Sequence, residues 1–135
     1  MTERNSLLNE RCVACRRDSP RVTEQEAEAL GKLIPDWRTV EVDGVPRLER
    51  TFKTKTYPQA LEITQRVGEL AELEGHHPVI LTEARRVTVT WWTHAIRWLH
   101  RNDFIMAVKT DEIATRVLGA TAGSPGVESE SHKNL

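Results

Sequence analysis

Residues 72–103 read ELEGHHPVILTEARRVTVTWWTHAIRWLHRND and hold His76, His77, His94 and three of the chain's four tryptophans. Within them, residues 79–82 and 87–92 are β-branched and apolar runs, the second alternating Val87, Val89 and Trp91 against Thr88, Thr90 and Trp92. A period of two marks a strand with unlike faces. Only residues 83–86 separate the runs, so the pair reads as a hairpin. A turn centred on Ala84 and Arg85 sets residue 78 opposite 91, 77 opposite 92 and 76 opposite 93. Opposed residues in such a ladder carry Cβ atoms about 4.5–5.5 Å apart, which brings His76 and His77 beside Trp92, Thr93 and His94 at the open end. Imidazole titrates near about pH 6.5, so three rings facing one small molecule suit proton transfer in both directions.

Upstream, residues 57–74 place Ala60, Ile63, Thr64, Val67, Leu70 and Ala71 on one helical face and Glu62, Gln65, Arg66 and Glu69 off it. Gly75 suits the helix stop, which puts His76 and His77 in the turn from helix to strand. Glu72, one turn earlier, is placed to hold a histidine in one tautomer. Downstream, Asn102 or Asp103 can cap a helix carrying Ile105, Val108, Ile113 and Val117 and ending near Gly119. Near the amino terminus, Thr23 to Glu26 fits a capping box, and Ala27, Leu30, Leu33 and Ile34 follow at helical spacing until Pro35. Residues 37–42 and 45–53 flank Asp43-Gly44, a pair suited to a type I′ turn, and Pro46 belongs at that turn or on an edge. Trp37 is either a core plug or the wall of a pocket. The order is helix, strand, strand, helix, strand, strand, helix. It predicts an α+β layer in which a four-stranded antiparallel sheet carries three helices on one face.

With 135 residues and a net charge of −1 from mixed acids and bases, the chain has room for one domain and shows no electrostatic footprint for nucleic acid or an anionic membrane. It contains no apolar run of spanning length, and MTERNSLLNE lacks a signal peptide's apolar region, so a cytoplasmic location is expected. Residues 1–21 read as an extended polar lead-in, 22–118 as a single domain, and 119–135, rich in Gly, Ser and Glu, as a disordered tail. Cys12 and Cys15 form a C-x-x-C pair without the further ligands of a zinc site or the βαβ context of a redox motif, and read as two reduced thiols. His100 and His132 read as surface residues.

The pattern Glu72-x-x-x-His76-His77-Pro78, followed by VTVTWWTH over residues 87–94 and Asp103 beyond, resembles the pterin-4a-carbinolamine dehydratases. The CVAC lead-in, the Pro35-Asp36-Trp37 corner, LERTF and HRNDFIMAVKTDEI extend the likeness over residues 11–118. The resemblance implies dehydration of a 4a-hydroxytetrahydropterin to quinonoid dihydropterin in tetrahydropterin recycling, with no metal or organic cofactor. It implies His76 and His94 as acid and base, His77 as a third member that orients the pterin, and Glu72 and Asp103 as their carboxylate partners. Trp37, Gly75, Pro78, Trp92, Thr93 and Ala95 are the implied pocket lining. A homodimer or homotetramer, and an aromatic amino acid hydroxylase as partner, are implied as well. The chain departs from its relatives at Gly75, often acidic or Asn in them, and at Arg97-Trp98, where they are commonly small, often Gly-Gly. Trp98 is expected to narrow the cleft or to pack across a subunit contact. Two other function classes stand beside this one: a non-catalytic protein partner on the same fold, and a zinc hydrolase using His76, His77 and His94.

Overall fold

The computed structural model describes residues 2–123. Its elements are α1 (Thr2–Asn9), α2 (Glu24–Gly31), β1 (Arg38–Val42), β2 (Val45–Lys53), α3 (Tyr57–Glu74), β3 (Val79–Glu83), β4 (Arg86–Trp91), a 3-10 turn at His94–Ile96, and α4 (Arg101–Gly123). All strands pair antiparallel in the order β1-β2-β4-β3, so each hairpin contributes one inner strand.

Turn chemistry fixes both hairpins. Asp43 and Gly44 have φ of 54° and 77°, the left-handed pair that a type I′ turn demands. The second hairpin runs from Val79↔Thr90 to Glu83↔Arg86, the register of a turn at Ala84 and Arg85. Pro46 pairs with Glu41 in a part of β2 that β4 does not reach, so its missing N–H interrupts no inner ladder.

One face of the sheet is buried. Leu48, Phe52, Val87, Val89 and Trp91 alternate onto it and meet Ala60, Ile63, Val67 and Ala71 of α3 and Phe104, Ile105 and Val108 of α4. Each fully buried aliphatic or aromatic side chain contributes about 1.5–3 kcal/mol, which outweighs the weak propensities of these short elements. The opposite face carries Val42, Val79 and Leu81 exposed.

α3 occupies the residues read as a helix, with Thr56 accepting the Gln59 N–H at its start. α2 begins at the expected box, in which Thr23 and Glu26 each accept the other's backbone N–H, but stops at Gly31, leaving Leu33 and Ile34 in the turn that follows. Two boundaries differ more. The lead-in is not wholly extended: α1 forms within it, burying Leu7 to 1% exposure while the Arg4 guanidinium reaches the Leu33 carbonyl and Asp111. A helix this short and polar carries no periodic signal and is held by its docking. α4 continues four residues past Gly119 to Gly123, and residues 124–135 of the expected tail, including His132, lie outside the described residues.

Candidate active site

Gly75 ends α3 in the left-handed conformation, φ 66°, and its N–H donates to the Glu72 carbonyl while the His76 N–H reaches back to the Ala71 carbonyl. This paired closure reverses the chain so that His76 turns inward, 7% exposed, and His77 stays exposed. From the other strand, Thr93 and Trp98 bridge across a tight loop that holds the 3-10 turn, closed by Arg97 at φ 52°. The result is that His94 stands opposite the histidine pair.

A buried carboxylate organises the floor. Asp103, with 0% exposure, accepts from His76 Nε2 at 2.7 Å, Thr93 Oγ1 at 2.7 Å and the His100 N–H at 2.9 Å. It sits in the first turn of α4, where its charge also meets the positive end of the helix dipole. His76 stacks on Trp91, ring centroids 5.6 Å apart and 4° from parallel, so the stack sets the plane of the imidazole and the Asp103 bond sets the direction of Nε2. His77 Nε2 donates to the Glu72 carboxylate at 3.0 Å, and His94 Nε2 donates to the His77 carbonyl at 3.3 Å. All three partners are pure acceptors, so each neutral ring carries its proton on Nε2 and keeps Nδ1 as the free lone pair. Those rings line one cleft of about 350 Å³ together with Cys15, Gly75, Thr93 and Ala95.

Trp92 backs His94 at 4.3 Å, and the Arg47 guanidinium lies 3.8 Å over the indole on the outer side of the sheet. Trp92 therefore supports the cleft without lining it, and Pro78 also stands outside the lining. Trp37 does not reach the site. Its ring packs edge-on against Phe52 and its indole N–H donates to Asp111 at 2.8 Å, two turns or about 12 Å along α4 from Asp103. It is a core plug with a polar handle. Trp98 is likewise absent from the cleft, half-buried beneath the Arg21 guanidinium at 4.4 Å. A larger hollow of about 480 Å³ lies at the turn end of β4 between Lys53 and Arg86, and no histidine lines it.

His100 is a correction. It is buried, 7% exposed, and its Nδ1 accepts the Asn102 N–H at 3.0 Å, so the imidazole caps α4. Burial pushes its pKa below the ordinary 6.5, against the pull of Asp103 and with the help of His76. Only a neutral ring can accept that N–H. Sequence reasoning missed this cap because His is an uncommon one, and missed Cys15 because a wall supplied from the far end of the chain leaves no local pattern. Among the described residues no three His, Cys, Asp or Glu side chains are placed to hold a metal ion. No described helix is long and apolar enough to cross a membrane.

Three comparisons bear on this cleft. The family profile of pterin 4 alpha carbinolamine dehydratase matches residues 20–113. A protein of Gloeobacter violaceus, under the provisional name pterin-4-alpha-carbinolamine dehydratase 1, is 56% identical over 112 residues, which is 83% of this chain and 97% of that protein. Among solved structures, a transcriptional coactivator/pterin dehydratase from Brucella melitensis superposes with a TM-score of 0.64 at 32% identity, covering 70% of this chain and 99% of its own. A pterin dehydratase-like protein described as a RuBisCO assembly factor in the alpha-carboxysome gives 0.51 at 25% identity, covering 58% of this chain and 89% of its own. By profile, sequence and fold, the chain belongs to the pterin 4 alpha carbinolamine dehydratase family.

Proposed function

We propose that the chain is a hydro-lyase that dehydrates 4a-hydroxytetrahydropterin to quinonoid dihydropterin and water. The single observation carrying this reading is the convergence of His76, His77 and His94 on one cleft, each tethered through Nε2 and free at Nδ1. The reaction breaks the C4a–O bond as the N5 lone pair forms the C4a=N5 double bond. Hydroxide is a poor leaving group and departs as water only with a donated proton, while the N5 proton must be removed. His94, as the imidazolium, donates its Nδ1 proton to the leaving hydroxyl and is left neutral with Nε2–H still on the His77 carbonyl. His76 takes the N5 proton at Nδ1, and the imidazolium that forms is stabilised through Nε2–H by the Asp103 carboxylate. The proton that His76 gains returns through solvent to reset His94 for the next turnover. His77, exposed and tied to Glu72, orients the pterin. The chain's own groups complete the proton balance, so the reading assigns no role to a metal or organic cofactor.

The same proposal places the protein in tetrahydropterin recycling in the cytoplasm, serving an aromatic amino acid hydroxylase that releases the carbinolamine. A homodimer or homotetramer belongs to it, supported by exposed Val42, Val79 and Leu81 on the helix-free sheet face. The test is stopped-flow turnover of synthetic 4a-hydroxytetrahydropterin. His76→Ala and His94→Ala should each slow it by about a hundredfold or more while far-UV circular dichroism stays native. Native rates in both variants refute the assignment, and a folded wild-type protein with no rate at all favours a purely binding role.

A further inference from the structure

One wall of the cleft comes from the amino-terminal segment, where Cys15 lies beside the histidines. Two side chains seat it. Asn102, 2% exposed, brackets Val13: Oδ1 accepts the Val13 N–H at 3.2 Å, and Nδ2 donates to the Val13 carbonyl at 2.8 Å and to Cys15 Sγ at 3.1 Å. The Glu74 carboxylate, 2% exposed, accepts the Cys12 N–H at 2.9 Å and Arg11 Nε at 2.8 Å, with Lys109 Nζ at 3.5 Å. Burial works against the charge on Glu74, but the Cys12 amide, Lys109 and Arg11 outweigh it and hold its pKa below the usual 4.5.

Both anchors are neighbours of the catalytic groups. Glu74 closes α3 directly before the Gly75-His76 cap, and Asn102 adjoins Asp103 at the start of α4. Segment 11–15 is thereby fixed to the same two helix ends that place His76, although it lies outside the residues 20–113 matched by the family profile. Burial pushes the Cys15 thiol up, the Asp103 charge adds to it, and hydrogen bonds from Asn102 and Thr93 oppose it. The thiol is neutral at pH 7, too weak a base or acid to share in the proton transfers. A neutral, polarisable sulfur is instead well suited to contact with a flat heteroaromatic ring.

We propose that segment 11–15 is a wall of the pterin site and that Cys15 is a substrate-contacting residue, its sulfur packed against the pterin ring and serving binding rather than proton transfer. The proposal rests on the dehydratase reading above. Its test uses the full chain and methyl methanethiosulfonate, which caps a thiol as S–S–CH3 with release of methanesulfinate. Capping at Cys15, located by peptide mass mapping, should raise KM by about tenfold and leave kcat within about twofold. A saturating 7,8-dihydropterin should slow capping at Cys15 by about tenfold, because ligand and reagent compete for one volume. Cys15→Ala should raise KM in the same direction with native circular dichroism.

Capping that ignores the dihydropterin, or a capped protein with native KM, overturns the proposal. So does a natively folded Cys15→Ala variant with native KM, a readout that needs no thiolate chemistry. If wild-type protein turns over the carbinolamine and Cys15 is indifferent, this inference alone falls. If it neither binds nor turns over pterin, the dehydratase reading falls with it.

Discussion

Asp103→Asn keeps the shape of the buried side chain and removes its charge, and the geometry dictates what happens next. The Oδ2 position receives two donors, the Thr93 hydroxyl and the immovable His100 N–H, whereas Oδ1 receives only His76 Nε2–H. The amide therefore turns its oxygen to the pair and its NH2 to His76. Facing a donor, Nε2 becomes the acceptor and the ring proton moves to Nδ1, the atom assigned to take the N5 proton. A base with its lone pair on the wrong nitrogen loses about a hundredfold to ten thousandfold in rate. The folding loss is smaller, about 1–2 kcal/mol for a charge-assisted bond turned neutral. Asp103→Ala is the poorer probe, since it strands three buried donors at about 1–3 kcal/mol each against a typical domain stability of about 5–15 kcal/mol. Single-turnover stopped-flow measures kcat, and 15N NMR of the histidine rings reads the tautomer. A variant with native kcat, or one in which His76 keeps its proton on Nε2, refutes the assignment of His76 as an Asp103-oriented base.

Glu72→Gln should change kcat by no more than about threefold, because Glu72 and His77 side chains are 84% and 63% exposed and such pairs are worth about 0–1 kcal/mol; a loss of about a hundredfold in steady-state rate would move Glu72 into the proton path. Arg97→Gly should raise stability by about 0.5–1 kcal/mol in urea titration, because a non-glycine residue at φ 52° carries left-handed strain. A fall in stability would show that the arginine side chain outweighs the strain. For His100 the sign is set by burial: its folded pKa lies below the ordinary 6.5 of the unfolded chain, so its contribution is intact above 6.5 and lost as pH falls through the folded value. His100→Asn, which retains a capping acceptor, should flatten that part of the urea-stability profile below pH 6.5, and an unchanged slope would remove His100 as its source.

The two hairpins, their turns, the extent of α3 and its glycine stop are all legible in the amino-acid sequence, because each depends on chemistry within a few residues. Alternation sets a strand's faces, Asp43-Gly44 supplies the two positive φ angles of a tight turn, and Gly75 supplies the one that ends a helix. That local grammar was sufficient to bring residues 76 and 77 level with 92 to 94. It could not distinguish a buried imidazole from an exposed one. The burial of His76, its stacking on Trp91 and its bond to a carboxylate 27 residues away follow from how α4 docks on the sheet. The same docking withdraws Trp37 into the core beside Asp111, turns His100 from surface residue to cap, and folds α1 from a lead-in with no apolar period. Sequence determined which residues share a strand or a helical face, since covalent spacing enforces that. Which faces meet, and hence which carboxylate holds which histidine and which thiol completes the cleft, was decided only when distant segments packed together to exclude water.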